Sequence, residues 1–331
     1  MPAERSRRAR LILPVLAATS VVALAGCADP GASAEGGPTV VATTTQVTDF
    51  ATQLVGEQAE VTGLLAPGQS AHSFDPSAAQ LVALGSADAL VVNGAGLESW
   101  LDDAIAASGF DGVLVDASTG IELAATDDHH GDAEEDHDDE AGNPHVWTDP
   151  RLAEEMLANI ADGLAKVDAI DVDEIRANEV EYGATLESLD GWIRENIDQV
   201  PVEQRLLVTN HDAFTYFLDA YDVTFVGSVI PSFDDNAEPS AAEIDALVER
   251  IRATGVRAVF SEASISPKAA QTIADEAGVA VYSGDDALYG DSLGQPGSEG
   301  ETYLASQLHN ARLILESWGI EPSALPDALR G

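Results

Sequence analysis

The chain has 331 residues, 45% of them apolar, and its 58 Asp and Glu against 15 Lys and Arg give a formal net charge of −43. That length and apolar content suit two packed domains of ordinary size and exclude a disordered acidic polypeptide. So large a negative charge excludes nucleic acid and anionic membrane surface as partners, leaving a self-repelling surface with a weak general attraction for cations.

At the N-terminus, Arg5, Arg7, Arg8 and Arg10 form a basic region, and residues 11–24 form an apolar stretch too short to span a bilayer. It runs into Leu24-Ala25-Gly26-Cys27, which resembles the bacterial lipobox, where the cysteine is lipidated and becomes the mature N-terminus. Cys27 is the only cysteine, so an intrachain disulfide and a cysteine-based zinc finger are both excluded. The expectation is a lipoprotein signal peptide over 1–26 and a tether over 27–38 rich in Gly, Ala, Ser and Pro. The protein would then be extracytoplasmic and touch the cell membrane through its lipid alone.

From residue 39 the chain alternates short apolar or β-branched runs with helical patterns. Strands are predicted over 39–45, 61–65, 89–93 and 113–116, with helices over 47–55, 77–84 and 97–107 between them. Strands separated by helices of about ten residues are the pattern of parallel β-α units. Residues 127–140 break the alternation: they are almost wholly acid and histidine, without apolar periodicity, and read as a surface loop carrying His129, His130 and His137. Asp149-Pro150 then opens a helix running to 166, with Asp149 able to cap the first N–H groups and Pro150 at the position that needs no donor. A longer helix over 172–197 carries Ile175, Leu186, Leu189 and Ile193 at helical spacing and has no strand near it. It is expected to bridge two lobes. Beyond 201 the alternation resumes, with strands over 206–209, 223–229, 258–260 and 279–283 and helices over 213–220, 241–253, 268–277 and 303–318. The fold class is therefore α/β, with an N-terminal lobe at 39–171, a linking helix at 172–198 and a C-terminal lobe at 199–331. Each lobe would hold a small parallel sheet flanked by helices.

Four metal-ligating side chains fall at equivalent places in this layout. His72 follows the second strand, His145 follows the fourth strand and the acidic loop, His211 directly follows the strand at 206–209, and Asp291 follows the strand at 279–283. All lie beyond the carboxyl ends of predicted parallel strands, where open α/β sheets place their ligands. Two come from each lobe, so one crevice could collect them, although their spacing does not itself show that they meet. Glu262, Asp285 and Asp286 lie near enough to Asp291 to be alternatives for the acidic position. His309, on the last helix, is expected to be structural or exposed.

The segments around these residues carry a resemblance. Ala71-His72-Ser73-Phe74-Asp75-Pro76, Asn143-Pro144-His145-Val146-Trp147-Thr148-Asp149-Pro150, Asn210-His211-Asp212-Ala213-Phe214-Thr215-Tyr216-Phe217 and Asp291-Ser292-Leu293-Gly294 resemble the signature segments of one family. It is the zinc- and manganese-uptake solute-binding proteins of bacterial ABC importers, and the similarity runs in order from about residue 39 to 318. The resemblance implies two four-stranded α/β lobes linked by a rigid long helix, with one divalent ion held by His72, His145, His211 and Asp291. It implies an ABC permease and its ATPase as partners, with a metallochaperone a further candidate, and a monomeric receptor without enzymatic activity. Glu238-Pro239-Ser240 and Phe260-Ser261-Glu262 also resemble family segments, without a ligand role assigned to them.

Three imidazoles and one carboxylate suit zinc in a closed four-coordinate site, whereas manganese prefers more oxygen ligands. Manganese carriers of the family often have a carboxylate where this chain has His211, and the acidic histidine loop resembles the variable loop of zinc-uptake members. Zinc is the expected cargo and manganese the alternative. Capture would weaken as pH falls through roughly 6.5, because protons compete for the imidazoles. Rival readings are a secreted zinc hydrolase, a receptor for an iron chelate or haem, and a surface adhesin. A hydrolase keeps an open metal position and a nearby base, and the chain has no His-Glu-x-x-His motif. A chelate receptor would line its cleft with Arg or Tyr, where these strand ends offer histidines. The lipid anchor permits an adhesin, which transport would not preclude.

Overall fold

A computed structural model describes residues 37–125, 142–232 and 237–330. The segment expected to be a signal peptide, Cys27, and His129, His130 and His137 lie outside the described residues. The first lobe is built from β1 (Thr39–Ala42), α1 (Thr45–Val55), β2 (Glu60–Gly63), α2 (Ala78–Gly85), β3 (Ala89–Val92), α3 (Leu101–Ser108) and β4 (Val113–Asp116). Its strands form one parallel sheet in the order β2-β1-β3-β4. The two central strands are nearly continuous buried apolar runs, as a parallel sheet covered on both faces requires.

Local sequence explains most helix ends. Gly56 takes a left-handed φ of 55° and stops α1, and Ser77 with Gln80 forms a capping box that starts α2. Helix α3 begins four residues later than its apolar pattern predicts. The intervening turn has positive φ at Gly94, Ala95 and Gly96, and the buried Glu98 carboxylate collects the N–H groups of Asn93 (2.7 Å) and Gly94 (3.1 Å). A side chain that satisfies loop amides competes with helix continuation.

Helix α4 (Pro150–Leu164) starts as expected, Asp149 accepting from the Arg151 N–H and Pro150 filling the first position. Helix α5 (Val172–Ile197) has 26 residues and ties the lobes together. Near its start Asn178 donates to the Leu54 carbonyl of α1, and near its end Asn196 and Trp192 bond to Ser323 of the C-terminal segment. Its Leu186, Leu189 and Ile193 are fully buried, each contributing roughly 1.5–3 kcal/mol of hydrophobic stabilisation.

The second lobe comprises β5 (Leu206–Thr209), α6 (Thr215–Ala220), β6 (Thr224–Ser228), α7 (Ala241–Thr254), β7 (Ala258–Phe260), α8 (Lys268–Ala277), β8 (Ala280–Tyr282) and α9 (Tyr303–Ser317). Where the family resemblance implies one four-stranded sheet, the strands pair as two parallel ladders, β5-β6 and β7-β8. Strand β5 lies beside β7. A register slip at Leu207/Val208 and the three-residue length of β7 and β8 accompany the break in the ladder.

The main apolar core runs without interruption from the first sheet through α4 and α5 to α6 and α9, and a smaller one lies under α7 and α8. Tyr303 shows how the lobes interlock. Its ring packs edge-on against Phe50, its hydroxyl donates to the Trp147 carbonyl (2.6 Å), and its N–H donates to the half-buried Asp49 carboxylate of α1 (3.1 Å).

Candidate metal centre

The parallel strands deliver their carboxyl-terminal loops to one crevice between the lobes. His211 follows β5 after one residue, Asp291 lies in the loop between β8 and α9, and His72 lies between β2 and α2. His145 precedes the single helical turn Val146–Thr148 that leads into α4. The structure brings all four together, with one ligating atom from each lying within 4.8 Å of every other. His145 Nε2 is 3.2 Å from His72 Nε2 and 3.0 Å from Asp291 Oδ1. Asp291 Oδ2 is 3.2 Å from His211 Nε2 and 3.5 Å from His72 Nε2. His145, His211 and Asp291 are sealed from solvent, while the His72 side chain keeps 7% exposure.

These separations are those of ion pairs, yet His211 Nε2 and both Asp291 oxygens have no hydrogen-bond partner among the described residues. The ring Nε2 atoms and the carboxylate are gathered in one cluster. The second nitrogens explain why. His145 Nδ1 lies 2.7 Å from Asn143 Oδ1, and Asn143 turns its amide NH₂ to the Asp212 carbonyl and Thr215 hydroxyl, so its oxygen is the acceptor. His145 therefore carries its proton on Nδ1 and bares Nε2. His211 Nδ1 is likewise directed at Glu262 Oε1, 2.7 Å away, so Nε2 is the nitrogen that faces Asp291. Lone pairs and a carboxylate concentrated in a dry site repel one another unless a cation or protons lie between them.

The protonation pattern follows from this crowding. Burial, only partly offset by Asp291, lowers the His145 pKa to about 4. Burial alone would also lower His211, but the Asp291 and Glu262 carboxylates outweigh it and hold that imidazole well above its ordinary pKa. Burial would raise Asp291, and His211 and His145 beside it instead hold it well below the usual carboxylate range. Glu262 is pushed up by burial against the pull of His211.

Among the alternatives for the acidic position, Asp285 and Asp286 are exposed on the turn Gly284–Asp286. Glu262 faces the back of His211, and its Oε2 occupies the place where a Cβ on Gly290 would lie, 2.0 Å away. His309 is buried, with Nε2 3.0 Å from the Ala287 carbonyl and Nδ1 3.2 Å from Glu299. Sequence reasoning did not assign the parts played by Asn143, Glu262 and Asn93, whose amide donates to the Pro144 carbonyl (3.1 Å) and fixes the turn before His145. Asn143 carries a signal, since a short amide two residues before a histidine can reach its ring. Glu262 carries none, being 51 residues from its partner.

Residues 40–317 match the family described as ZnuA, zinc-uptake complex component A periplasmic. The manganese-binding lipoprotein MntA of Bacillus subtilis is 30% identical over 313 residues, covering 94% of this chain and 99% of its own. The zinc-binding protein AdcA of Streptococcus pyogenes is 30% identical over 305 residues, covering 87% of this chain and 58% of its own. Among solved structures, the periplasmic zinc binding protein TroA from Treponema pallidum aligns with a TM-score of 0.75 at 25% identity, over 86% of this chain and 99% of its own. With the match spanning both lobes and the linking helix, the chain belongs to the zinc-uptake complex component A family.

Proposed function

We propose that this protein captures a divalent transition metal outside the cytoplasm, zinc in the first place, and delivers it to an ABC permease with its ATPase. The observation that carries the reading is the gathering of three imidazoles and a carboxylate with one ligating atom each within 4.8 Å of the others, His211 Nε2 and both Asp291 oxygens being buried without a hydrogen-bond partner among the described residues. A tetrahedral ion with arms of about 2.1 Å has donor–donor edges of about 3.4 Å; with Asp291 Oδ2 as the oxygen donor, three of the six edges measure 3.2, 3.2 and 3.5 Å. His72, His145, His211 and Asp291 would supply the four ligands, and Asn143 and Glu262 would orient two of the rings. Three nitrogens to one carboxylate favour zinc over manganese. Manganese is the second reading, favoured by the MntA relative named for that metal.

The remaining elements of the reading are a lipid anchor at Cys27, supported by the relatives that are lipoproteins, and a monomeric receptor. Among the described residues no helix is long and apolar enough to cross a membrane. The lobes would span 39–171 and 199–331 about the linking helix, and the acidic loop would collect zinc weakly through His129, His130 and His137. Native mass spectrometry with metal analysis of the chain lacking residues 1–27 tests the proposal. One zinc per chain is expected, with loss of tight binding in His72→Ala, His145→Ala, His211→Ala and Asp291→Ala. Unchanged affinity in His145→Ala or His211→Ala would refute it.

A further inference from the structure

Asp291 is carried by a loop rather than by a strand or helix, so something else must hold it at ligating distance. From its own lobe the loop is fixed at Tyr289, whose N–H donates to Asn310 Oδ1 and whose carbonyl accepts from Asn310 Nδ2, both at 2.8 Å. Next to Asp291 the hold passes to the other lobe. The Gly290 carbonyl accepts from Gln46 Nε2 and from Trp147 Nε1, each at 3.1 Å. The Gly68 N–H donates to Ser292 Oγ (2.7 Å), and the Leu293 N–H donates to Thr45 Oγ1 (2.9 Å). The Thr45 hydroxyl in turn donates to Gln46 Oε1 (3.0 Å), which leaves the amide nitrogen of Gln46 facing Gly290.

We infer that Gln46 and Trp147 are positioning residues for the metal ion, acting through Asp291. The inference rests on the ligand set proposed above. Residues 290–293 belong mechanically to the first lobe, together with His72 and His145, whereas the His211 ring is tied to Glu262 of its own lobe. The division along which the site can open therefore runs between His211 and the other three. Gln46 and Trp147 are both about 1% exposed, so letting go of Gly290 would strand two buried donors at once. That makes the grip cooperative, and it lets movement between the lobes pull His211 away while Asp291 stays in place.

Gln46→Met tests this by deleting the amide while keeping the side chain's length, and Gln46→Glu tests it again by setting an oxygen against the Gly290 carbonyl. Zinc dissociation into excess chelator is followed by stopped flow, alongside thermal unfolding of the metal-free proteins to show that each variant folds. Loss of one buried hydrogen bond predicts zinc release about five- to tenfold faster in Gln46→Met, and faster again in Gln46→Glu. In an Asp291→Ala background neither substitution should accelerate release further, which separates positioning through Asp291 from general loosening. Unchanged dissociation in both variants, or the same acceleration in the Asp291→Ala background, would overturn the inference. Asp291→Ala releasing zinc no faster than wild type would overturn the ligand assignment itself, and the positioning role with it.

Discussion

Zinc binding should release one proton near neutral pH, and that proton should come from His211. In the metal-free protein His211 Nδ1 faces Glu262 at 2.7 Å and Nε2 faces Asp291 at 3.2 Å, so two carboxylates flank one buried imidazole and hold its pKa well above the ordinary value. His145, lowered to about 4, is already neutral at pH 7 and gives up nothing. A metal in the cluster must displace the His211 Nε2 proton, so affinity should rise by at least about tenfold per pH unit, or about 1.4 kcal/mol, wherever His211 stays protonated in the metal-free protein. Below about pH 4 protonation of His145 steepens the loss. The metal-free fold responds with the opposite sign. The raised His211 stabilises it below the unfolded pKa of about 6.5, and that contribution disappears as pH rises through the folded value. Calorimetric titration in buffers of different ionisation enthalpy counts the proton, and competition with a chelator between pH 5.5 and 8 gives the slope. A slope near zero across that range, or release of two or three protons at pH 7, would refute the reasoning.

Glu262→Gln removes one of the two carboxylates flanking His211; the proton count at pH 7 should fall below one and zinc affinity should drop about 10–100-fold, read by the same calorimetry. Gly290→Ala places a methyl group where Glu262 Oε2 lies, 2.0 Å away, and should destabilise the protein by about 1–3 kcal/mol in denaturant unfolding while weakening zinc binding. Asp149→Ala deletes the α4 cap that accepts from the Arg151 N–H at 2.9 Å and should cost about 1 kcal/mol by the same unfolding assay. As pH falls from about 6.5 to 4, burial of neutral His145 should cost the metal-free protein stability on the order of 3 kcal/mol, measurable as a falling unfolding midpoint.

Much of this architecture is written locally. Asp149-Pro150 starts α4, Gly56 stops α1, and α5 spans Val172–Ile197 as its apolar spacing predicts, because caps and helical periodicity act over a few residues. The late start of α3 was not legible, because it depends on Glu98 bonding to amides at the end of β3. The break between the two ladders of the second lobe escaped for a similar reason: strand pairing is a long-range contact.

The candidate site divides in the same way. The amino-acid sequence by itself determined which imidazoles stand at the carboxyl ends of parallel strands, since that follows from the order of strands, helices and turns. Only the tertiary structure decided that His72, His145, His211 and Asp291 come together in one cluster, that Asp285 and Asp286 face solvent, and that Glu262 stands behind His211. It also decided that Gln46 and Trp147 reach across to Gly290. Those contacts join segments up to 244 residues apart, and no local propensity encodes them. They exist because a continuous apolar core draws the two lobes together and leaves buried polar groups to find partners wherever the packing places them.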